Sequence, residues 1–148
     1  MSFGFSVGDL VVVQRLIQEA TLKVLKLQTI DASAFKSLEP LRWHLKSLGP
    51  ILQQIIDFGR DYAIIDSEER ERSNVVKKAE EACRALATTL TNLVELIESL
   101  QPEDSERPIP SRRRVRWRFS LVEHRFKAIT ERLIIQESTL ELLIQTYV

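Results

Sequence analysis

The side chains best suited to metal binding or nucleophilic catalysis in this chain of 148 residues are two histidines and one cysteine. His44 and His124 stand far apart, and no His-x-x-x-His or Glu-x-x-His spacing places two metal ligands on one helix face. Cys83 is the only cysteine, which excludes an intramolecular disulfide and a cysteine-based metal cluster. We expect His44 at a core boundary and Cys83 buried as a small apolar residue. No metal site and no cofactor are predicted.

Phosphate binding and acid–base catalysis also lack their usual patterns. Gly4 and Gly8 precede a predicted helix, but no strand comes before them and no Gly-Lys-Ser/Thr follows. Adjacent carboxylates such as Glu80 and Glu81 are typical of the solvent-facing side of a helix rather than of a catalytic cleft. Since there are no catalytic or cofactor-binding residues to name, we predict a non-enzymatic protein that acts on no small-molecule substrate.

One stretch concentrates positive charge beside an aromatic ring. Five arginines occupy seven residues around Trp117: Arg112, Arg113, Arg114, Arg116 and Arg118. Such a block favours contact with an anionic lipid surface or an acidic partner. Nucleic acid is a weaker candidate, because the chain as a whole carries no net charge. The structural alternative is a solvated helix start that pairs with acidic side chains, although positive charge at a helix N-terminus opposes the helix dipole.

The first predicted helix is apolar on every side near its start. The residues concerned are Phe3, Phe5, Leu10, Val11, Val12 and Val13. A helix of this kind either lies centrally in its bundle or enters a second apolar environment. We therefore consider the segment both as core and as a membrane-inserting or oligomer-forming segment.

The composition defines the fold class that must position these residues. Hydrophobic residues make up 44% of the chain and charged residues 28%, and only four glycines and five prolines are available for turns. An all-β fold needs turn residues about every 8–12 positions. We therefore predict an all-α fold, organised as a single domain over residues 1–148.

Apolar residues that alternate at spacings of three and four predict four amphipathic helices in an up-down bundle. The predicted stripe of the first helix is Leu10, Val13, Ile17, Ala20, Val24 and Leu27. That of the second is Leu38, Leu41, Leu45, Leu48, Leu52 and Ile55, and that of the third is Val76, Ala79, Cys83, Leu86, Leu90, Leu93, Ile97 and Leu100. That of the fourth, in which Gln136 is the one polar member, is Val115, Phe119, Val122, Phe126, Ile129, Leu133, Gln136, Leu140, Leu143 and Tyr147.

We expect the helices at about 7–27, 33–62, 68–100 and 112–147, with a polar linker at 101–111. Pro40 and Gly49-Pro50 should kink or break the second helix. The favoured position is Gly49-Pro50, where either two nearly collinear pieces, and thus five helices, or one bent helix results. Ser120 offers an alternative start for the last helix. Because the chain ends soon after Leu143 without a polar tail, we expect the N-terminal part of a longer protein.

The charges are unevenly distributed along this pattern. Residues 67–106 carry ten acidic and five basic side chains, whereas residues 107–148 carry nine basic and four acidic ones. The third and fourth helices should therefore attract one another, which favours antiparallel pairing across the linker. Exposed ion pairs contribute only about 0–1 kcal/mol each, so apolar burial must hold the bundle together.

The order of these features resembles a fungal N-terminal helical domain. Met1–Leu10, with the sequence MSFGFSVGDL, is similar to the start of that domain, which heads STAND-type, NOD-like receptor-like and ubiquitin-like-domain proteins. The resemblance continues with a Phe35-x-x-Leu38 opening of the second helix, a long acidic third helix, and an arginine-rich stretch with Trp117. In outline the chain is also similar to the HeLo and HeLo-like cell-death domains, whose bundles oligomerise and permeabilise membranes.

The resemblance implies a cytoplasmic helical bundle that acts as a self-associating signalling or effector module in immunity-like or cell-death signalling. It also implies recruitment to a membrane, for which the first helix and the arginine block are the candidate contacts. The alternative is a passive protein–protein interaction or dimerisation scaffold whose heptad stripes recruit partner helices. Nucleic-acid binding is the weakest of the three hypotheses.

Overall fold

The computed structural model describes residues 7–64, 69–100 and 112–147, which form four long α-helices without a strand in these ranges. The helices are α1 (Val7–Ile30), α2 (Glu39–Ile64), α3 (Glu69–Leu100) and α4 (Arg112–Tyr147), and a 3₁₀ turn (Lys36–Leu38) precedes α2. Side chains are described for residues 10–57, 77–100 and 113–146. The all-α bundle predicted from the sequence is confirmed. The predicted linker at 101–111 lies outside the described residues.

Each helix packs against two others. α1 packs on α2 and α3, and α4 packs on the same two helices, so the order around the bundle is α1, α2, α4, α3. Gln14 bonds to Gln53, and Gln28 to Glu39, which makes α1 and α2 antiparallel. Arg118 near the start of α4 reaches the carbonyl of Leu100 at the end of α3. α3 and α4 are therefore antiparallel neighbours, as the uneven charge distribution predicts.

The apolar stripes read from the sequence form the common core. All six predicted positions of α1 are buried, as are the described core positions of α2 and most of those of α3 and α4. The side chains with the least exposure include Leu27, Leu41, Leu45, Leu48, Leu52, Leu86, Leu90, Leu93 and Phe126. Burying a side chain of this size stabilises the fold by about 1.5–3 kcal/mol. The bundle is thus held together mainly by these stripes.

The connection between α1 and α2 differs from the prediction. α1 continues to Ile30 rather than ending near 27, and α2 begins at Glu39 rather than near 33. The turn between them is set by Asp31, whose side-chain oxygen accepts a hydrogen bond from the amide of Ala34 at 3.1 Å. This local bond competes with helical pairing, as is usual for aspartate in turns. Pro40 then falls in the first turn of α2, where its missing N–H costs nothing.

Of the two alternatives for the second helix, the continuous one is correct, because α2 runs without interruption through Gly49 and Pro50. A side chain before proline normally clashes with the proline ring in helical geometry. Gly49 has no Cβ and therefore avoids that clash. Pro50 is exposed, so water can bond to the helix carbonyl that the proline leaves without a donor.

The last helix begins at Arg112, and the alternative start at Ser120 is wrong. Ser120 lies inside α4, where its hydroxyl donates to the carbonyl of Trp117 at 2.7 Å. The arginine block is therefore helical rather than a loop. The predicted boundaries of α3 agree with the structure to within one residue, since α3 begins at Glu69.

Replacing Pro50 by alanine should stabilise the protein. The substitution restores one backbone hydrogen bond and removes the contact between the proline ring and the preceding turn, so we expect a gain of up to about 3 kcal/mol. Pro40→Ala is the matched control, because a proline in the first turn lacks no hydrogen bond. Urea unfolding followed by circular dichroism measures both. Equal stability of the wild-type protein and the Pro50→Ala variant would contradict this account of α2.

Candidate functional site

The arginine block at the start of α4 is divided between the surface and the bundle. Arg113 and Arg114 are exposed. Arg116 lies with its Nε 3.5 Å from Oδ2 of Asp31, and Arg118 donates to the carbonyl of Leu100 at 3.5 Å. A cation at the last carbonyls of a helix is favourable. Two arginines of the block thus join α4 to its neighbours, and two point into solvent. The side chain of Arg112 lies outside the described residues.

Trp117 begins a line of apolar side chains on the outside of α4. Its side chain is 64% exposed, and Leu121, one turn later, is 55% exposed. Ile135 and Leu142 continue the line at 66% and 62%, with the exposed Ala128 between them. We call this set the outer row: Trp117, Leu121, Ala128, Ile135 and Leu142.

The spacing of the outer row explains why it shares one face. Its members follow one another at intervals of four, seven, seven and seven residues. Seven residues are close to two helical turns, so side chains at this interval stay on the same side of the helix. The opposite side carries core residues such as Phe126, Leu133 and Leu140. α4 is therefore apolar on two faces, of which the bundle covers one.

The outer row was not predicted from the sequence, although its periodic spacing is visible there. The predicted stripe of α4 passes through Val115, Phe119 and Phe126, and only this one main apolar face was expected on the helix. Four of the five outer-row members repeat at intervals of seven beside that stripe. Two heptad series in one helix indicate that the helix has more apolar surface than one neighbour covers.

Basic side chains flank the outer row on the side that faces α3. Arg125 and Arg132 are seven residues apart, both exposed, and neither has an ion-pair partner among the described residues. With Ala128 they line a shallow cleft of about 400 Å³ between α3 and α4, opposite Glu95 and Leu96. A second cleft of similar size follows along the same groove toward Leu142.

The apolar start of α1 is also divided. Leu10 and Val13 are buried against the core, whereas Val12 is 53% exposed and Val11 is partly buried. Phe3 and Phe5 lie outside the described residues. Further along α1, Leu22 and Leu25 are exposed one turn apart. Half of the described part of the predicted segment therefore serves as core.

His44 and Glu137 form a hydrogen-bonded pair between α2 and α4. Nδ1 of His44 lies 2.7 Å from Oε2 of Glu137, and both side chains are largely buried. Trp43 packs edge-on against the imidazole, at 5.1 Å between ring centroids. The boundary position predicted for His44 is confirmed. The burial of Glu137 could not be predicted from the sequence, because this residue lies beside the alternating apolar positions that mark the core.

A second polar contact lies between α3 and α4. The amide nitrogen of Gln136 donates to Oγ1 of Thr89 at 2.9 Å and to the carbonyl of Ala85 at 3.3 Å. Gln136 was the one polar member of the predicted α4 stripe, and Thr89 is buried opposite it. The contact allows only one alignment of the two helices along their length.

Cys83 is buried in the core stripe of α3, as predicted. Burial raises the pKa of its thiol to about 12. The thiol is therefore neutral at physiological pH, and the thiolate that nucleophilic chemistry requires does not form.

The described residues contain no cluster that suggests metal chemistry. Within these ranges, no three histidine, cysteine, aspartate or glutamate side chains come together as metal ligands. Of the helices that the structure describes, none combines the length and the apolar character needed to cross a membrane.

Comparison with family models, with curated proteins and with solved structures gives no match for this chain. The similarity to the fungal N-terminal helical domain stays a prediction that depends on the motifs quoted above. The outer row and its flanking arginines are the candidate site that the structure itself provides.

Replacing His44 by leucine should destabilise the bundle. The carboxylate of Glu137 would remain buried without its donor, which costs about 1–3 kcal/mol. Glu137→Gln keeps an acceptor for the imidazole N–H and should cost less. Urea unfolding curves of the two variants and the wild type test this expectation. A His44→Leu protein as stable as the wild type would show that the pair contributes nothing to the α2–α4 interface.

Proposed function

We propose that this chain is a non-enzymatic association module of a signalling or effector protein, and that it binds other proteins through the outer face of α4. The observation that supports the proposal is the outer row, in which large apolar side chains stay in water along one line of the longest helix. Single exposed apolar residues are normal on protein surfaces, but an aligned series is typical of an interaction site.

The physical reason is that more than half of the surface of each large side chain in the outer row contributes nothing to the stability of the isolated bundle. Removing apolar surface from water is favourable by about 25 cal/mol per Å². The residues that face the core already gain this free energy, whereas Trp117, Leu121, Ile135 and Leu142 gain it only when something covers them. A partner that covers the row therefore supplies a driving force that the fold leaves unused.

The proposal keeps the signalling role and the self-association that the sequence predicts, with a passive scaffold as the alternative. The two share the same contact and differ in what happens after binding. Cytoplasmic location, with recruitment to a membrane, stays a prediction of the sequence.

Polar substitutions in the outer row should abolish association. The test variant is Leu121→Ser/Ile135→Ser/Leu142→Ser, and the control Leu22→Ser/Leu25→Ser removes exposed leucines from α1 instead. Sedimentation velocity measures self-association. Fluorescence anisotropy measures binding of labelled four-heptad amphipathic helical peptides that carry leucine at the apolar positions and acidic, basic or balanced flanks. We expect at least a tenfold loss of binding in the α4 variant only.

Two results would contradict the proposal. One is a wild-type chain that remains monomeric and binds none of the peptides. The other is an equal loss of binding in the α1 and α4 variants, which would indicate nonspecific adhesion. Circular dichroism establishes that each variant is folded before its binding is interpreted.

An anionic membrane surface is the second candidate partner, and one observation favours it. Arg113 and Arg114 are exposed at the start of α4 close to the exposed Trp117. Tryptophan is enriched at membrane interfaces, and each basic residue near an anionic leaflet contributes about 1 kcal/mol.

The membrane candidate predicts a charge-dependent interaction with vesicles. Arg113→Glu/Arg114→Glu should weaken co-sedimentation with phosphatidylcholine vesicles that contain phosphatidylserine by at least tenfold, because attraction becomes repulsion. Arg15→Glu/Lys46→Glu, with the same change in net charge elsewhere, should have little effect. Leakage of a trapped dye shows whether binding permeabilises the vesicles. Equal loss of binding in both variants would exclude a specific lipid contact at the start of α4.

A further inference from the structure

We infer that the outer row of α4 and the arginines beside it form a docking site for an acidic amphipathic helix, which lies along α4 with its acidic side chains at Arg125 and Arg132. The inference rests on the proposed function and specifies its partner. Three features of the described residues support it: the period of the row, its width and the charge of its flank.

The period of the row matches a helical partner. From Leu121 to Leu142 the row covers 21 residues at constant intervals of seven, or about 32 Å of helix axis. Two helices that wind around each other in a left-handed sense meet at this period, because each side chain fits between those of the neighbouring helix. A flat surface requires no such period.

The width of the row distinguishes a helix from a bilayer. The positions one turn from its members are charged or polar, as with His124 and Arg125, Glu131 and Arg132, and Ser138 and Thr139. Ile134, at 41% exposure, is the one exposed large apolar side chain outside the row in the described part of α4. Helices that lie in a membrane interface present a broad apolar face. A single line of apolar residues between polar flanks is the narrower seam of a helix pair.

The basic side chains beside the outer row indicate which charge the partner helix carries. Arg125 and Arg132 are exposed one heptad apart on the α3 side of the row, and no described residue forms an ion pair with either. A partner helix lying on the row meets both guanidinium groups. Acidic side chains at the same interval on the partner would pair with them, whereas basic ones would be repelled.

The same flank disfavours a second copy of α4 as the partner. In an antiparallel two-fold pair the same flank of both helices lies on the same side of the seam, so Arg125 and Arg132 of one copy would face the same arginines of the other. In a parallel two-fold pair the arginines would face the opposite flank, which carries one acidic side chain, Glu131, between His124 and Ser138. An acidic partner therefore pairs with the arginines more completely than a second copy of α4 does.

The groove between α3 and α4 offers space for such a helix. Its two clefts, of about 400 and 390 Å³, lie on the side of the row that carries the arginines. Leu96 and Ala82 line them on the α3 side, together with Glu95 and Glu81. A partner on the outer row therefore meets Arg125 and Arg132 at the near edge of this groove, whereas Glu95 and Glu81 lie across it on α3.

The test compares two labelled four-heptad helical peptides that share the same leucine positions and carry glutamate or lysine at the flanking positions. We expect the wild-type chain to bind the glutamate peptide at least tenfold more tightly than the lysine peptide. Arg125→Glu/Arg132→Glu should reverse this preference, and the charge-matched control Arg15→Glu/Lys46→Glu should preserve it. In a Trp43→Phe background, the emission of Trp117 should shift to shorter wavelength when the glutamate peptide binds.

The outcomes separate this inference from the proposed function. Equal affinity for both peptides, or a preference that Arg125→Glu/Arg132→Glu leaves unchanged, would overturn the acidic partner while association through α4 stands. Binding of the wild type to anionic vesicles but to neither peptide would assign the face to a membrane and overturn the inference. A wild-type chain that neither self-associates nor binds any peptide would overturn the proposed function itself.

Discussion

The structure depends on the burial of one apolar stripe from each helix in a common core. None of the four helices can cover its own stripe, so each requires two neighbours, and the order α1, α2, α4, α3 provides them. Leucines such as Leu45, Leu52, Leu90 and Leu93 are fully enclosed by this arrangement. Helix length, helix pairing and the direction of every other side chain follow from it. The described clefts are shallow grooves on the surface of the bundle rather than enclosed cavities.

Polar contacts then fix how the helices align. Apolar stripes alone permit two helices to slide by a turn with little loss, because one leucine replaces another. The His44–Glu137 pair between α2 and α4 and the Gln136–Thr89 contact between α3 and α4 allow only one alignment. Arg118 at the end of α3 and Arg116 at Asp31 hold the start of α4 in the same way. Part of the arginine block therefore has a structural role, and the remainder is available for partners.

The outer face of α4 is the structural feature on which the proposed function depends. A helix that is apolar on two opposite sides packs one side against the core and leaves the other exposed to water. The basic flank beside the exposed side gives that surface a charge preference, and selection of partners by charge is common at interfaces between helices. A helical bundle with such a face can join proteins without any catalytic chemistry, which fits the non-enzymatic role we propose.

The sequence alone determined the elements of this protein. The alternation of three and four residues located α1, α3 and α4 and nearly every core residue, because helical periodicity is a local property of the chain. It left the continuity of α2 at Gly49-Pro50 open, because the general effect of proline there is outweighed by the absence of a Cβ at the preceding residue and by the exposure of Pro50.

Only the tertiary structure decided which helices are neighbours and which apolar face remains uncovered. The placement of α2 beside α4 brings His44 to Glu137, although these residues are distant in the chain and neither belongs to a recognisable motif. Likewise, Leu121 and Ile135 appear in the sequence as ordinary apolar residues of a long helix. Their exposure follows from the packing of α4 on α2 and α3, because burial depends on neighbours that are remote along the chain.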